Sequence, residues 1–402
     1  MPPPLLTIAE ARSLVLNAVL PLASESVAIP QARDRILAAD VQVAGDVPPF
    51  PCSAMDGYAV APGPAGRTLR VVGESRAGAP SAQSLGQGQA IRISTGAAVP
   101  DSATAVIPQE DVSLKCGEGE IITRAAVHEG DNVRDRGEDM RAGSTVLPAG
   151  TLLGAAELGA AVSAGAAQLT VARRPAVHVL STGDELKAPG EPLGPGEIHN
   201  SNAPMLVALA EHQGAACAPP IRLPDDRAAT EAGLAEALEH ADLVIISGGV
   251  SVGPHDHVKP ALETLGVEQV FWRVALQPGK PTWFGRRGNT LVFGLPGNPV
   301  SSVVTFGLFV RPALAALQGR AEAPRLESEA ILAAPVARNP DREQAIRVRL
   351  ERHDGRLTAS PNGPQGSHIV TSLLGADALA LIAPGEGELA AGATVPLEPL
   401  PR

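Results

Sequence analysis

Aromatic side chains are scarce in this 402-residue chain, which has two Trp, one Tyr and six Phe. So few flat side chains leave no set of platforms on which nucleic-acid bases could stack. Basic charge is also short, with 32 Lys and Arg against 43 Asp and Glu and a net charge of −11. Bulk electrostatics therefore opposes nucleic acid and anionic lipid, and an anionic ligand has to be caught by a local pocket. Cysteine is nearly absent. Cys52, Cys116 and Cys217 are odd in number and far apart, which excludes a disulfide framework and a cysteine metal site and points to a reducing, cytoplasmic compartment. The first residues show no basic region and no cleavage pattern, so no secretion signal is read. The one run of membrane-spanning length, 152–172, carries Glu157 and is mostly Ala and Gly, which suits a helix packed closely on protein. Neither a G-x-x-x-x-G-K-[ST] loop nor a G-x-G-x-x-G opening a helix occurs, which disfavours ATP hydrolysis and hydride transfer.

Punctuation and core-forming residues are plentiful. Gly and Pro number 42 and 38, and 44% of the chain is apolar. The length suits two to four domains with many short strands, tight turns and ligand loops. A first helix starts after Thr7, with Glu10 at the capping-box position, and Pro21 ends it. A second helix or a turn is expected at 34–39. Short β-prone runs follow at 69–72, 90–93, 105–108, 112–114 and 121–123, separated by turn residues. An Ala/Gly-rich helix at 152–165 then returns to the helical pattern of the N-terminus. The expected division is an elongated helical linker domain, 1–45 and 141–174, interrupted by a β-rich domain, 46–140. From 175 to 322 strands and helices alternate: strands at 177–180, 242–247 and 291–293, an extended run at 269–275, and helices at 202–213, 229–239, 258–265 and 300–317. That order predicts a three-layer α/β domain with a mainly parallel sheet. Residues 323–402 carry short strands again, which fit a small β-barrel or sandwich.

Glycine loops at strand ends approach anions closely, and the helix that follows offers free N–H groups and a positive dipole end. Three such junctions stand in the α/β domain. They are Ser181-Thr182-Gly183-Asp184-Glu185, Ser247-Gly248-Gly249-Val250-Ser251, and Pro296-Gly297-Asn298-Pro299. A fourth loop, Gln277-Pro278-Gly279-Lys280-Pro281, supplies a lysine. Together they point to a phosphate-bearing ligand. Asp184, Glu185 and Asp256 are oxygen ligands suited to Mg²⁺ beside phosphate. Asp225 and Asp226 precede a helix, so either could be its N-cap. His255 and His257 lack metal spacing and read as surface residues. In the β-rich domain, Ser53-Ala54-Met55-Asp56-Gly57-Tyr58-Ala59, Ser94-Thr95-Gly96-Ala97 and Arg134-Asp135-Arg136-Gly137-Glu138-Asp139 also set polar groups beside glycine.

Taken together, these runs resemble the molybdopterin molybdenumtransferases, the MoeA family, which includes the E domain of gephyrin. The runs just quoted carry the resemblance, with Gln109-Glu110-Asp111, Asn200-Ser201-Asn202, Lys259, Gly366-Ser367 and Thr371-Ser372-Leu373, in order along nearly the whole chain. The resemblance implies an enzyme that takes adenylylated molybdopterin and molybdate, inserts molybdenum into the dithiolene and releases AMP with Mg²⁺. It implies four domains, with a molybdopterin-binding α/β domain like that of the adenylyltransferases, and an elongated homodimer. Its site lies between the α/β domain of one subunit and the β-rich domain of the other. Ser181, Thr182, Gly183, Ser247, Gly248, Gly249, Ser251, Gly279, Pro296, Gly297 and Asn298 would then hold the substrate. Asp184, Glu185 and Asp256 would hold Mg²⁺ or ligand hydroxyls. Glu185 and Lys280 would act in the reaction, and Asp56, Thr95 and Asp139 would join them from the partner chain. A molybdopterin adenylyltransferase and chaperones of molybdenum enzymes are implied as further partners. Two other readings stay open: a molybdopterin adenylyltransferase, and a gephyrin-like scaffold without catalysis. The chain departs from many relatives at Gln277, where a basic residue is usual, and at Asp377-Ala378, where Asn-Gly is common.

Overall fold

The structure is a computed structural model that describes residues 5–115, 119–250, 257–320, 329–353 and 355–400. Helix α1, Ile8–Asn17, starts as its sequence dictates. The Thr7 side chain accepts from the Glu10 N–H, and the Glu10 carboxylate accepts from the Thr7 N–H. The helix ends at Asn17, one turn before Pro21, and the 34–39 stretch is a turn, not a helix. Strand Ser24–Ala28 pairs antiparallel with Gln168–Ala172, and Val41–Gln42 pairs with Thr145–Leu147. The two ends of this segment thus share one core, built on Leu37, Leu153 and Val171. The 152–172 run is helix α2, Ala155–Ser163, followed by a strand, so its apolar residues never form one membrane-length helix.

Between those ends lies a six-stranded sheet in the order Ala105–Pro108, Gly57–Val60, Gln89–Ile93, Thr68–Ser75, Glu120–Thr123 and Val112–Lys115. Its alternating apolar residues bury two small cores, one on each face.

The α/β domain has the sheet order Ala216–Cys217, Ala176–Thr182, Leu243–Ser247, Thr290–Leu295, Trp283–Arg287 and Glu268–Trp272. The first four are parallel, Trp283–Arg287 runs antiparallel to both its neighbours, and Glu268–Trp272 again runs with the first four. Leu243–Ser247 is buried along its whole length, as a central strand covered on both faces should be. Helices α3, Asn202–His212, α6, Pro299–Thr305, and α7, Arg311–Leu317, cover one face together with α1. Helices α4, Arg227–His240, and α5, Val258–Thr264, cover the other. The extended run from 269 ends at Trp272, because Arg273 turns to φ +76°.

The helix from Pro299 to Leu317 is long and apolar enough to cross a membrane, but 78% of its most apolar window is buried in the protein. A π-helical turn, Phe306–Val310, interrupts it just before Pro312. Proline has no N–H to give to the Leu308 carbonyl. That carbonyl accepts instead from Arg12 Nε of α1, at 3.2 Å. Arg12 also pairs with Glu398 at 2.6 Å, and Arg311 pairs with the same carboxylate at 3.1 Å. Glu398 belongs to the last domain, where Glu343–His353, Arg356–Pro361, Glu329–Leu332, Thr394–Pro399 and Ala378–Ile382 close into a five-stranded barrel. The barrel joins the α/β domain through Leu276–Gln277, which pairs parallel with Glu343 and Gln344, and through a shared core with Ala345, Ala376, Leu379 and Leu400.

Candidate functional site

Parallel strands in register place their carboxyl ends together. Ser181 is opposite Ser247, and Ser247 is opposite Leu295. All three glycine loops therefore open at one edge of the sheet, the crevice where α/β sheets bind ligands. A cavity of 620 Å³ lies there, lined among others by Ser181, Thr182, Glu185, Ser247, Gly248 and Gly297. That volume suits a ligand of drug or nucleotide size.

Two glycines are required by geometry. Gly248 and Gly249 have φ +90° and +65°, a region open to glycine at little cost. A Cβ on Gly249 would stand 2.8 Å from Thr182 Oγ1, and on Gly248 3.0 Å from it. The two loops touch so closely that neither position has room for a side chain. The loop is also held by Trp272, whose indole N–H donates to the Val250 carbonyl at 3.1 Å. Lys259 Nζ and Arg273 Cζ lie 3.8 and 4.0 Å from the Trp272 ring centre, which sets two cations beside this loop in an otherwise acidic chain.

The start of α3 ties the strand ends together. Asn200 Nδ2 donates to Ser181 Oγ at 2.8 Å. Asn202 Nδ2 donates to Ser247 Oγ at 2.8 Å and to the Gly297 carbonyl at 2.7 Å. Asn202 Oδ1 is buried and receives no hydrogen bond. Asn200 and Asn202 are site residues that glycine-loop reasoning does not select, although their run precedes a helix that faces the loops.

Among the acidic residues, Glu185 and Asp225 line the cavity and Asp184 does not. Asp184 and Asp225 interlock: each carboxylate accepts from the other's backbone N–H, at 3.3 and 3.4 Å. Asp226, not Asp225, caps α4 by accepting from the Ala229 N–H at 2.8 Å. His257 lines the cavity at the start of α5 and is only half-buried. No group of three or more His, Cys, Asp or Glu could by itself hold a metal among the described residues. One or two carboxylates at the rim of such a crevice would fit Mg²⁺, which keeps waters and takes further oxygens from its ligand. Ser251 and Asp256 lie outside the described residues.

Pro296, Gly297 and Asn298 line the cavity ahead of α6. Asn298 Nδ2 donates to Ser367 Oγ at 3.0 Å, and the Val300 N–H donates to the Ser367 carbonyl at 3.1 Å. The barrel thereby reaches the cavity rim. Its loop is held from behind by Arg347, 1% exposed, which donates to Ser372 Oγ and to the carbonyls of Pro364 and Gly366. Burial pushes the Arg347 guanidinium down to about 10. Nothing in the local sequence marks Arg347, since it alternates with apolar residues just as Arg349 does and both read as surface residues.

Lys280 is exposed and directly precedes Pro281, which lines the cavity. The Lys280 carbonyl accepts from the Val274 N–H at 3.0 Å, and Gly279 has φ +128° with Thr305 and Leu276 packed where a Cβ would be. Gln277 Oε1 accepts from Asn339 Nδ2 at 2.6 Å, so this side chain serves the barrel contact. Asp377 likewise serves the barrel, its carboxylate accepting from the Leu350 N–H at 2.9 Å.

The three polar runs of the β-rich domain also meet. Strand Cys52–Ser53 pairs with Val133–Arg134, the Ser53 N–H donates to Ala97, and the Gly96 N–H donates back to Ser53. Asp56 Oδ1 accepts from both the Thr95 N–H, at 2.7 Å, and the Thr95 hydroxyl, at 3.1 Å. These bonds hold the Asp56 carboxyl below its usual range, backbone bond first. Asp139 is exposed beside the same strip, its N–H given to Val47. None of Asp56, Thr95 and Asp139 lines the cavity in the α/β domain.

Comparison with known proteins accounts for both halves. Residues 6–165 match the family model for the MoeA N-terminal region, domains I and II. Residues 178–316 match a probable molybdopterin binding domain, and 329–400 match the MoeA C-terminal region, domain IV. A molybdopterin molybdenumtransferase of Haemophilus influenzae is 36% identical over 98% of both chains. Molybdopterin molybdenumtransferase 2 of Mycobacterium tuberculosis is 39% identical over 91% of this chain and 93% of its own. The crystal structure of a molybdopterin biosynthesis MoeA protein from Pyrococcus horikosii superposes with a TM-score of 0.82, at 32% identity over 98% of this chain and 99% of that one.

Proposed function

Because the chain belongs to the MoeA family, we propose that it is the molybdenumtransferase of molybdenum cofactor biosynthesis, an enzyme that inserts molybdenum from molybdate into molybdopterin. The observation that carries this reading is the crevice itself: three glycine loops and the starts of α3, α5 and α6 converge on one cavity at the sheet's carboxyl edge. A crevice so built takes phosphate through backbone N–H groups and hydroxyls, with no need of a basic chain.

The finer reading is that adenylylated molybdopterin is the substrate and AMP the second product. Ser181, Thr182, Gly183, Ser247, Gly248, Gly249, Ser251, Gly279, Pro296, Gly297 and Asn298 bind it. Glu185 and Asp256, with Asp225, would hold Mg²⁺, which would supply positive charge beside the phosphates, and Asp184, outside the cavity, would support them by accepting from the Asp225 N–H. Lys280 draws the oxyanions to the crevice. Asp56, held ionised by Thr95, and Asp139 complete the site from a second copy of the chain, because they lie outside the cavity of their own subunit. The enzyme works in the cytoplasm as a homodimer. Expression of the chain in bacteria that lack their own molybdenumtransferase tests the function. Restored nitrate reductase activity is expected at ordinary molybdate, and no restoration by soluble, folded protein would overturn the assignment.

A further inference from the structure

A second cavity, of 360 Å³, lies where Ile36, bridged to Leu152, meets the α/β domain. Helix α3 joins it to the crevice: the helix starts there with Asn202, runs 11 residues or about 16 Å, and ends here at His212. Ile36 and Leu152 give the cavity an apolar wall. Arg174 and Arg320 line it half-buried, and neither has an ion-pair partner among the described residues. Arg174 spends Nη1 on the Gly214 carbonyl at 3.3 Å, and the Arg320 guanidinium donates to no acceptor among the described residues. Glu211, exposed at the rim, has no cationic partner among them either. Gln318 lines the same cavity and is only 6% exposed. Its amide is oriented, because Nε2 donates to the carbonyls of Gln213 and Leu314 at 2.8 and 2.9 Å, and carbonyls only accept. Gln318 Oε1 receives no hydrogen bond among the described residues. It is also not one of the two orphan atoms sealed from solvent, His178 Nδ1 and Asn202 Oδ1, so it opens onto the cavity. Beside it Gly214, at φ +84°, leaves space: a Cβ there would stand 2.7 Å from Oε1.

We propose that this cavity binds a free α-amino acid, with its carboxylate on Arg174 and Arg320, its ammonium on Gln318 Oε1 and Glu211, and an apolar side chain against Ile36 and Leu152. A fully ionised oxyanion would satisfy the guanidiniums but has no hydrogen to give Gln318, and an amine alone would leave both half-buried cations without a counter-charge. Cations at the ends of α3 and α7 also complement the helix dipoles. That role leaves Gln318 Oε1 unexplained, and the zwitterion accounts for it. The crevice takes no part in this binding, so the proposal stands apart from the molybdenumtransferase reading.

The test is thermal unfolding of the full chain at neutral pH with each of the standard amino acids at about 10 mM, since a ligand of the folded state raises Tm. The one that raises Tm most is then titrated by calorimetry beside its deaminated acid and its decarboxylated amine. At least one apolar amino acid is expected to bind, and each truncated analogue should bind about tenfold or more weakly, because it leaves one half of the site unpaired. Arg320→Met should lose about tenfold or more in affinity with the Tm of the free protein unchanged, as its guanidinium serves no other group among the described residues. No stabilisation by any amino acid would overturn the proposal and leave the arginines as counter-charges of the helix ends. An acid or amine that binds as well as its parent would also overturn it, giving the cavity to a simple ion. Undiminished binding by Arg320→Met would place the ligand elsewhere. If that variant does not fold, amide exchange at Gln213 and Gly214 decides the location: slowing on ligand addition is expected, and no change would overturn it.

Discussion

Ser181 and Ser247 face each other across two parallel strands, and each hydroxyl is held by an asparagine at the start of one helix, Asn200 just before it or Asn202 in its first turn. One short segment therefore fixes the ends of two strands and the loop after a third, through Gly297. The site is rigid at its floor because few bonds there are optional, and this makes its variants informative.

Gly248 and Gly249 cannot carry side chains without moving Thr182. Gly249→Ala is expected to lose about 1–2 kcal/mol of stability from its left-handed backbone alone, and more from the clash with Val258. Calorimetric unfolding of folded protein checks the first figure. Substrate binding should fall further than stability does, since the loop must shift away from the cavity.

Asp56 titrates below the usual carboxylate range because Thr95 stabilises its charged form. A depressed folded value means that its contribution is full above the unfolded carboxylate pKa, about 3.9, and is lost as pH falls through the lower folded one. Wild type and Asp56→Ala should therefore differ in thermal stability by a constant amount from neutral pH down to about pH 5. The two curves should converge below about pH 4. A difference that grew on acidification would reverse the assigned sign.

Cys217 is half-buried, and burial followed by Glu211 pushes its thiol up to about 11. The thiolate is the reactive form. At pH about 8 its peptide should take up iodoacetamide at least tenfold more slowly in native than in unfolded protein, as read by mass spectrometry. Equal rates would place Cys217 in a more open setting.

Glu398 is 4% exposed and joins Arg12 and Arg311 across three parts of the chain. Glu398→Ala leaves two guanidiniums beside a buried gap and should cost about 3–5 kcal/mol in urea unfolding. The larger consequence should be a loosened barrel, because Arg12 also serves the carbonyl that Pro312 leaves open. Faster amide hydrogen exchange in the barrel strands of this variant, with the Leu243–Ser247 strand unchanged, is the pattern to look for.

Much of the fold is legible because local chemistry dictates it. Thr7 and Glu10 announce a capping box three residues apart, and Leu243-Val244-Ile245-Ile246 is an unbroken apolar run between turns, as a central parallel strand must be. The glycine loops are legible for the same reason, since each follows a strand. What spacing does not reveal is pairing at a distance. Asp56 and Thr95 are separated by 39 positions and meet only because two strands align. Arg347 looks like an exposed strand residue until the 364–372 loop closes over it. Asp225 and Asp226 illustrate the limit well: two adjacent acids before a helix look equivalent, yet one caps and the other faces the cavity. Asn202 is hidden in the same way, because its amide meets Ser247 and Gly297, 45 and 95 positions away.

The most direct measurement is a single-turnover incubation of the purified chain with adenylylated molybdopterin, molybdate and Mg²⁺, following AMP and molybdenum-bound molybdopterin together. Both products should appear in equal amounts with wild type. Asp56→Ala and Lys280→Met should each fail alone, and a mixture in which verified heterodimers form should regain part of the activity. AMP release without molybdenum insertion, or undiminished insertion by both variants, would contradict the proposed site.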